Sequence, residues 1–134
     1  MRFTVRDGLP FVAITVRHRG KRVRITDVLI DTGSAGTLLS ADALHSIGVE
    51  YEPFDPIHRI AGIGGSEFVF TKVIDEIAIA RMVVPRMEIE VGAVDYGFDI
   101  NGIVGTDYLL RIGCVLDFKA RTITSRLFHR KPPN

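Results

Sequence analysis

The sequence predicts an all-β fold, mainly strands with two short helices, in a single domain. Three observations carry that expectation. Short runs rich in Val, Ile, Phe and Thr alternate apolar and polar residues with period two. Glycines punctuate these runs at hairpin spacing, and only two stretches carry helix start and stop signals. At 134 residues the chain is long enough for one self-supporting core. Its 46% hydrophobic and 25% charged residues are the composition of an ordinary globular protein. The domain is expected to span residues 1–129, with 130–134 as a frayed tail.

Taken in order, residues 1–7 alternate polar and apolar and lack the unbroken apolar stretch of a signal peptide. Phe11 to Val16 and Val23 to Ile30 read as strands, joined by a turn from His18 to Lys21 around Gly20. The second strand runs directly into Asp31-Thr32-Gly33-Ser34. Ser40 is expected to cap a short helix from Ala41 to Ile47, which Gly48 stops. Strand character returns from Pro56 to Ala61, and the cluster Gly62-Ile63-Gly64-Gly65 turns it into Glu67 to Val73, a second hairpin. Further strands fit Glu76 to Ala80 and Val83 to Val91, with Pro85 marking an edge or a bulge. A second helix from Thr106 to about Arg111 precedes closing strands near Cys114 to Phe118 and Thr122 to Leu127.

Composition also excludes functions. Seventeen basic against sixteen acidic residues leave a formal charge of +1, too little for a nucleic-acid footprint. The basic cluster from Arg17 to Arg24 reads as the solvated end of a hairpin. No segment approaches the roughly 20 apolar residues that span a bilayer. A soluble cytoplasmic protein without a membrane segment is therefore the expectation. The single cysteine, Cys114, sits in an apolar run and reads as a small buried hydrophobe. His18, His45, His58 and His129 show no metal-ligand spacing, so neither a metal nor another cofactor is expected. The glycines at 62, 64 and 65 do not form a dinucleotide loop, because its last glycine would fall on Glu67. No Gly-x-Ser-x-Gly supports a serine nucleophile.

What remains is Asp31-Thr32-Gly33-Ser34. As an isolated triplet, Asp-Thr-Gly is an ordinary turn, with the carboxylate capping backbone amides. Here Leu29 and Ile30 precede it and Leu38 and Leu39 follow, so the turn is held against a core and its carboxylate needs donors. Together with the Ile60-Ala61-Gly62-Ile63-Gly64-Gly65 hairpin and the later Gly102-Ile103-Val104-Gly105-Thr106-Asp107-Tyr108-Leu109, this resembles the retropepsin-like aspartic peptidases, the small bacterial members above all. The lead-in from Gly8 to Val12 and the segment from Val115 to Phe118 extend the resemblance over nearly the whole chain.

That resemblance implies a pepsin-like closed β-barrel half that acts as a homodimer on polypeptide substrates. The implied catalytic set is Asp31, Thr32 and Gly33: Asp31 the acid and base, Thr32 a lock between two loops across a two-fold axis, Gly33 a close turn near substrate. Ser34 would hydrogen-bond the outer oxygen of Asp31 and, with Ile63, Gly64 and Gly65 of a flap, border the substrate. Apolar pockets from Leu9, Phe11, Phe54, Ile63, Phe68 and Ile103 are expected along the groove. No second Asp is followed by Thr-Gly or Ser-Gly, so two chains must each supply Asp31. The chain departs from viral members at Ala35-Gly36-Thr37, where they carry acidic residues, and at Thr106, where they carry a basic one. The ion pair bracing the viral dimer is thereby lost. Asp107 and Asp117 read as structural, at a helix start and a strand end. The alternative function is a peptide-binding or dimerisation module that keeps the fold without the chemistry.

Overall fold

The computed structural model describes residues 1–62, 65–94 and 99–127. Along the chain run β1 (Thr4–Arg6), β2 (Leu9–His18), β3 (Lys21–Ile30), β4 (Leu38–Ser40) and helix α1 (Ala41–His45). Then come β5 (Ile57–Gly62), β6 (Gly65–Ile79), β7 (Met82–Gly92) and β8 (Gly102–Val104). Helix α2 (Thr106–Arg111), β9 (Cys114–Asp117) and β10 (Thr122–Ser125) follow. Strands make up 56% of the structure, as the alternation predicts, and six of them close into a barrel. No helix among the described residues is long and apolar enough to cross a membrane.

Closure follows from two long hairpins. β2 and β3 pair antiparallel through a turn in which Arg19 and Gly20 both have positive φ, the backbone hand that matches strand twist. β6 and β7 form the other hairpin, and β2 reaches β6 through Thr15–Arg17 opposite Glu76–Ala78. On the far side β3, β8, β4 and β7 lie in that order, completing the ring β2-β3-β8-β4-β7-β6. β1 lies against the opening of β2, and β5 forms the outer strand beside β6. β9 and β10 make a separate two-stranded sheet, tied to the amino terminus by an Arg2 to Thr122 bridge.

Some elements differ from the sequence expectation. Glu67 to Val73 and Glu76 to Ala80 are not two strands: β6 runs unbroken over 15 residues. Its pairing skips only Asp75, whose carboxylate instead accepts the Arg19 backbone N–H at 2.8 Å. Pro85 sits on an edge rather than a bulge, since β4 covers β7 only at Glu90–Gly92 and the register with β6 does not shift. Three-residue β1 and β4 are too short to show a period. Helix α1 ends at His45, two residues earlier than expected, with Ser40 accepting from the Ala43 N–H and Gly48 at φ +74 beyond it. The expected boundary at residue 129 and the tail 130–134 lie outside the described residues.

Two apolar clusters sit on opposite faces of the central strands. Val28, Ile30, Leu39 and Val104 face the main core with Ile14, Ile77 and Tyr108, while Leu29, Leu38 and Ile103 face a smaller cluster with Phe11, Val69 and Ile100. Strands buried on both faces read as continuous apolar runs, which is why Val28-Leu29-Ile30 breaks the alternation. Each such Leu or Ile contributes about 1.5–3 kcal/mol of burial. The buried Tyr108 hydroxyl accepts the Ile79 N–H at 2.9 Å and donates to the Met82 carbonyl, pinning α2 to the β6–β7 turn.

Candidate active site

The loop carrying Asp31 leaves β3 and enters β4, the two strands that flank β8. β8 runs parallel to β3 and antiparallel to β4, so the loop arches over its end. A bulge positions β3 for this. Its register against β2 shifts between Val12 and Ile14, opposite Thr26 and Asp27, and Asp27 has φ +57. The carbonyls turned out there are taken by Asn101: its side-chain amide donates to Thr26 O at 2.8 Å and its N–H to Asp27 O at 3.0 Å. β8 is thereby seated beside β3.

Asp31 itself is half-buried. Its N–H donates to Val104 O at 2.9 Å, fixing the loop to β8, and its Oδ1 accepts the Gly33 N–H at 2.9 Å. Among the described residues nothing else donates to the carboxylate, and Oδ2 has no partner there. Thr32 and Gly33 are exposed, and no group among the described residues pairs with the Thr32 hydroxyl. Ser34 departs from expectation. Its hydroxyl donates to Gly36 O at 2.8 Å, not to Asp31, because the tight 31–34 turn, closed by Ser34 N–H to Asp31 O at 3.2 Å, points it toward the next bend.

What holds this loop was not visible in the sequence. Thr37 is 1% exposed, donates its hydroxyl to Asp107 Oδ1 at 2.8 Å, and accepts the Gly105 N–H at 3.1 Å. Its backbone N–H reaches Asp107 Oδ2 at 3.1 Å. Thr106 donates both its N–H and its hydroxyl to Ser34 O, at 2.8 and 3.2 Å. The Gly105, Thr106 and Tyr108 amides at the start of α2 are thus satisfied by the loop and by Asp107, which accepts the Tyr108 N–H at 2.8 Å. Where an ion pair was expected to be missing, neutral hydrogen bonds and one carboxylate clasp the loop to α2 within the chain. Gly105 makes the clasp possible: a Cβ there would lie 2.2 Å from Gly36 O.

The other expected site residues are distributed unevenly. The β5–β6 hairpin is present, closing at Gly62 opposite Gly65, and Gly65 begins β6. Ile63 and Gly64 lie outside the described residues. Of the expected groove pockets, Phe11 and Ile103 are sealed in the smaller cluster. Phe54 stands 99% exposed, on a loop held by Lys72, which pairs with Asp55 at 2.7 Å and Glu52 at 2.9 Å. A cavity of about 380 Å³ opens beside Thr32, against α2 and β9. Another of about 500 Å³ borders Ala35, Gly36 and Thr37, with Glu88 and Glu90 on its wall. Cys114 is half-buried, packed against the main core and bordering the first cavity, and burial pushes its thiol pKa up, away from nucleophilic use. Asp117 is structural, its Oδ1 accepting the Ala120 N–H at 2.8 Å in the β9–β10 turn.

A closed six-stranded barrel, with a single carboxylate presented on a braced loop between its central strands, defines a pepsin-like fold. The family comparison agrees. The aspartyl protease family matches over residues 14–108, from β2 through the clasp at Asp107, and the chain belongs to that family. A search of curated proteins finds no match.

Proposed function

We propose that the chain is one subunit of a homodimeric aspartic endopeptidase that hydrolyses peptide bonds in extended polypeptides, using a water held between two Asp31 carboxyls. The observation that carries this is Asp31 itself: one oxygen held by Gly33, the other without a donor among the described residues, on the chain's sole Asp-Thr-Gly. Membership of the aspartyl protease family supports the class of reaction.

Hydrolysis without a covalent intermediate needs a base for the water and an acid for the carbonyl oxygen. Two carboxyls a few ångströms apart do not both ionise cheaply, so they share one proton and divide these tasks. The ionised carboxyl takes a proton from water as its oxygen attacks the carbonyl carbon. The protonated one gives its proton to the carbonyl oxygen. Collapse of the tetrahedral intermediate then breaks the C–N bond: the first carboxyl gives its proton to the leaving amine while the second takes one back from a hydroxyl of the intermediate, which restores the shared proton. One Asp31 supplies half of this pair, which is why a second subunit is part of the proposal. In this reading Thr32 meets its counterpart across the two-fold axis, Gly33 lets the loop approach substrate, and Ser34 shapes the loop through Gly36. The 62–65 turn, including Ile63, Gly64 and Gly65, acts as the flap, offering backbone groups to an extended peptide.

The test is cleavage of an unfolded protein substrate by wild type and by Asp31→Asn from mildly acidic to neutral pH. The amide still accepts the Gly33 N–H, so the fold should persist while cleavage disappears. Cleavage surviving in the variant would remove Asp31 from the chemistry. A wild type that dimerises and binds peptides but never cuts them would leave the binding-module alternative.

A further inference from the structure

Along the sequence, the basic cluster from Arg17 to Arg24 is the solvated end of a hairpin; the strand register turns part of it onto a single face. Arg17 lies directly opposite Arg22 across the β2–β3 pairing, and Thr15 directly opposite Arg24. Cross-strand partners project to the same side of a sheet, and like charges placed opposite one another destabilise it. Along its other edge β2 meets β6, with Arg17 opposite Glu76 and Thr15 opposite Ala78, and Ala78 in turn lies opposite Val83 of β7. These residues share the outer face of the barrel, because Val16, Ile77 and Val84 between them are buried in the main core. Three arginines thus stand against one glutamate. Glu76 approaches only Arg17, at 3.8 Å, and among the described residues Arg22 and Arg24 have no ion pair. An exposed pair at that distance contributes little, so the positive charge stays uncompensated. It lies along the seam where β2 and β6 close the ring. A recess of about 420 Å³ opens at that seam, with Arg17, Arg22 and Glu76 on its wall. Ala78 faces outward yet is only 8% exposed, so it forms the floor, beside Ala80 and Val83. Thr15 also borders the recess, and among the described residues its hydroxyl has no hydrogen-bond partner.

From these we infer that the recess binds a small organic phosphate monoester, its phosphate held by the Arg17 and Arg22 guanidiniums and the Thr15 hydroxyl, its organic part resting on Ala78, Ala80 and Val83. Volume and lining suit such a ligand: small-molecule sites enclose about 300–1,000 Å³ and set a few polar groups in an apolar surface. Charge chooses phosphate over carboxylate. Three arginines less one glutamate leave an excess of two positive charges, which a phosphate monoester matches above its second pKa of about 6 and a single carboxylate does not. Guanidinium forks also fit phosphate oxygens in pairs, and here two forks face one another across the strand pair. Arg24, one row along the same face, adds to the field without lining the recess. A bound dianion would relieve the repulsion between Arg17 and Arg22 and tie the β2–β3 hairpin to β6 at the seam. Arg22 stands near the start of β3 and Asp31 follows its end, so this site is at the far end of the strand from the Asp31 loop and is independent of the peptidase reading.

The test is an NMR titration of the isotope-labelled chain with phenyl phosphate, inorganic phosphate and benzoate, at neutral pH and constant ionic strength so that general screening does not change. Phenyl phosphate should shift the amides of Thr15, Arg17, Arg22 and Ala78 saturably, with a dissociation constant below about 1 mM. Inorganic phosphate should bind the same residues more weakly, lacking a body for the apolar floor, and benzoate at least about tenfold more weakly, carrying one charge fewer. Arg22→Gln removes one guanidinium from an exposed position and should raise the phenyl phosphate constant at least about tenfold. Arg111→Gln, the same charge loss at an exposed arginine on α2, should leave it within about twofold of wild type. Without ligand, Arg22→Gln should melt no lower than wild type, since it removes a like-charge neighbour. Absence of a saturable shift at those four residues, benzoate or inorganic phosphate as tight as phenyl phosphate, or equal weakening in the two variants would overturn the inference. So would a lowered melting temperature of unliganded Arg22→Gln, which would make Arg22 structural. A phosphoserine peptide binding at least about tenfold tighter than phenyl phosphate would give the site to a protein partner and likewise overturn it.

Discussion

Gly105→Ala is the substitution for which the structure gives the sharpest expectation. The added Cβ would stand 2.2 Å from Gly36 O and 2.7 Å from both Gly36 C and Ser34 O, all backbone atoms that no side-chain rotation moves away. Restoring ordinary contact requires the Asp31 loop to recede by about 1 Å, and overpacking of this kind costs typically 1–3 kcal/mol. The same shift stretches Thr106 N–H to Ser34 O from 2.8 Å and Gly105 N–H to the Thr37 hydroxyl from 3.1 Å. Each of those bonds is worth about 1 kcal/mol. The sum, roughly 3–5 kcal/mol, does not exceed the 5–15 kcal/mol of a typical domain. The variant should therefore fold, with a Tm lower by roughly 10–20 °C. Displacing a reacting group by about 1 Å lowers kcat/KM on the order of a hundred-fold. Gly36→Ala provides the contrast, because its Cβ meets nothing nearer than the Glu90 carboxylate at 3.9 Å. Thermal unfolding and peptide cleavage should place Gly36→Ala near wild type and Gly105→Ala far below. Equal behaviour of the two would refute the clasp as described.

Two further outcomes follow from the same contacts. Thr37→Val keeps the shape but removes the donor to Asp107 and the acceptor for the buried Gly105 N–H, so urea denaturation should show a loss of about 2–3 kcal/mol; a loss under 0.5 kcal/mol would contradict the clasp. The Lys72 cluster sets a pH limit on the 52–55 loop. Hydrogen bonds from Lys72, aided by its charge, hold the Glu52 and Asp55 carboxyls below their usual range. Desolvation pulls the Lys72 ammonium down, but hydrogen bonds to Asp55 and Glu52 outweigh it and its pKa stands raised. Lowered carboxylates contribute stability above their unfolded pKa, about 4, and lose it as pH falls through the folded values. A raised lysine contributes below about 10.4 and loses it as pH rises through its folded value. The clamp should hold between those limits and release in acid. NMR signals of Tyr51, whose ring lies 5.7 Å from Phe70 beside this loop, should move below about pH 4 in wild type. In Lys72→Met they should show no such step, and signals unchanged down to about pH 2 in wild type would contradict the clamp.

How much of this was legible in the sequence depends on how far apart the partners lie. The β2–β3 hairpin, the span of α2 and the turn at Asp31 are set by residues within a few positions of one another, where alternation, capping and glycine placement act. Thr37 and Asp107 are 70 residues apart, and Asn101 lies 75 from Thr26, so no local pattern announces either contact. The sequence marks Asp107 as a helix-start carboxylate, which it is, but its second task is to hold Thr37. Asp75 and Glu76, adjacent and polar, break the alternation and split β6 on paper, yet the ladder with β7 resumes at Glu76. Resemblance alone points Ser34 at the Asp31 carboxylate. The turn geometry sends its hydroxyl to Gly36 instead, and the bracing falls to Thr37, Thr106 and Asp107.

The claim that one active site needs Asp31 from two chains is tested most directly by mixing. Wild type and Asp31→Asn chains, unfolded together at fixed total concentration and refolded in varying proportions, should combine at random into dimers. If both carboxyls are required, cleavage falls as the square of the wild-type fraction, to about a quarter in an equal mixture. Cleavage falling in simple proportion, to about a half, would show that each chain carries a complete site and would contradict the account.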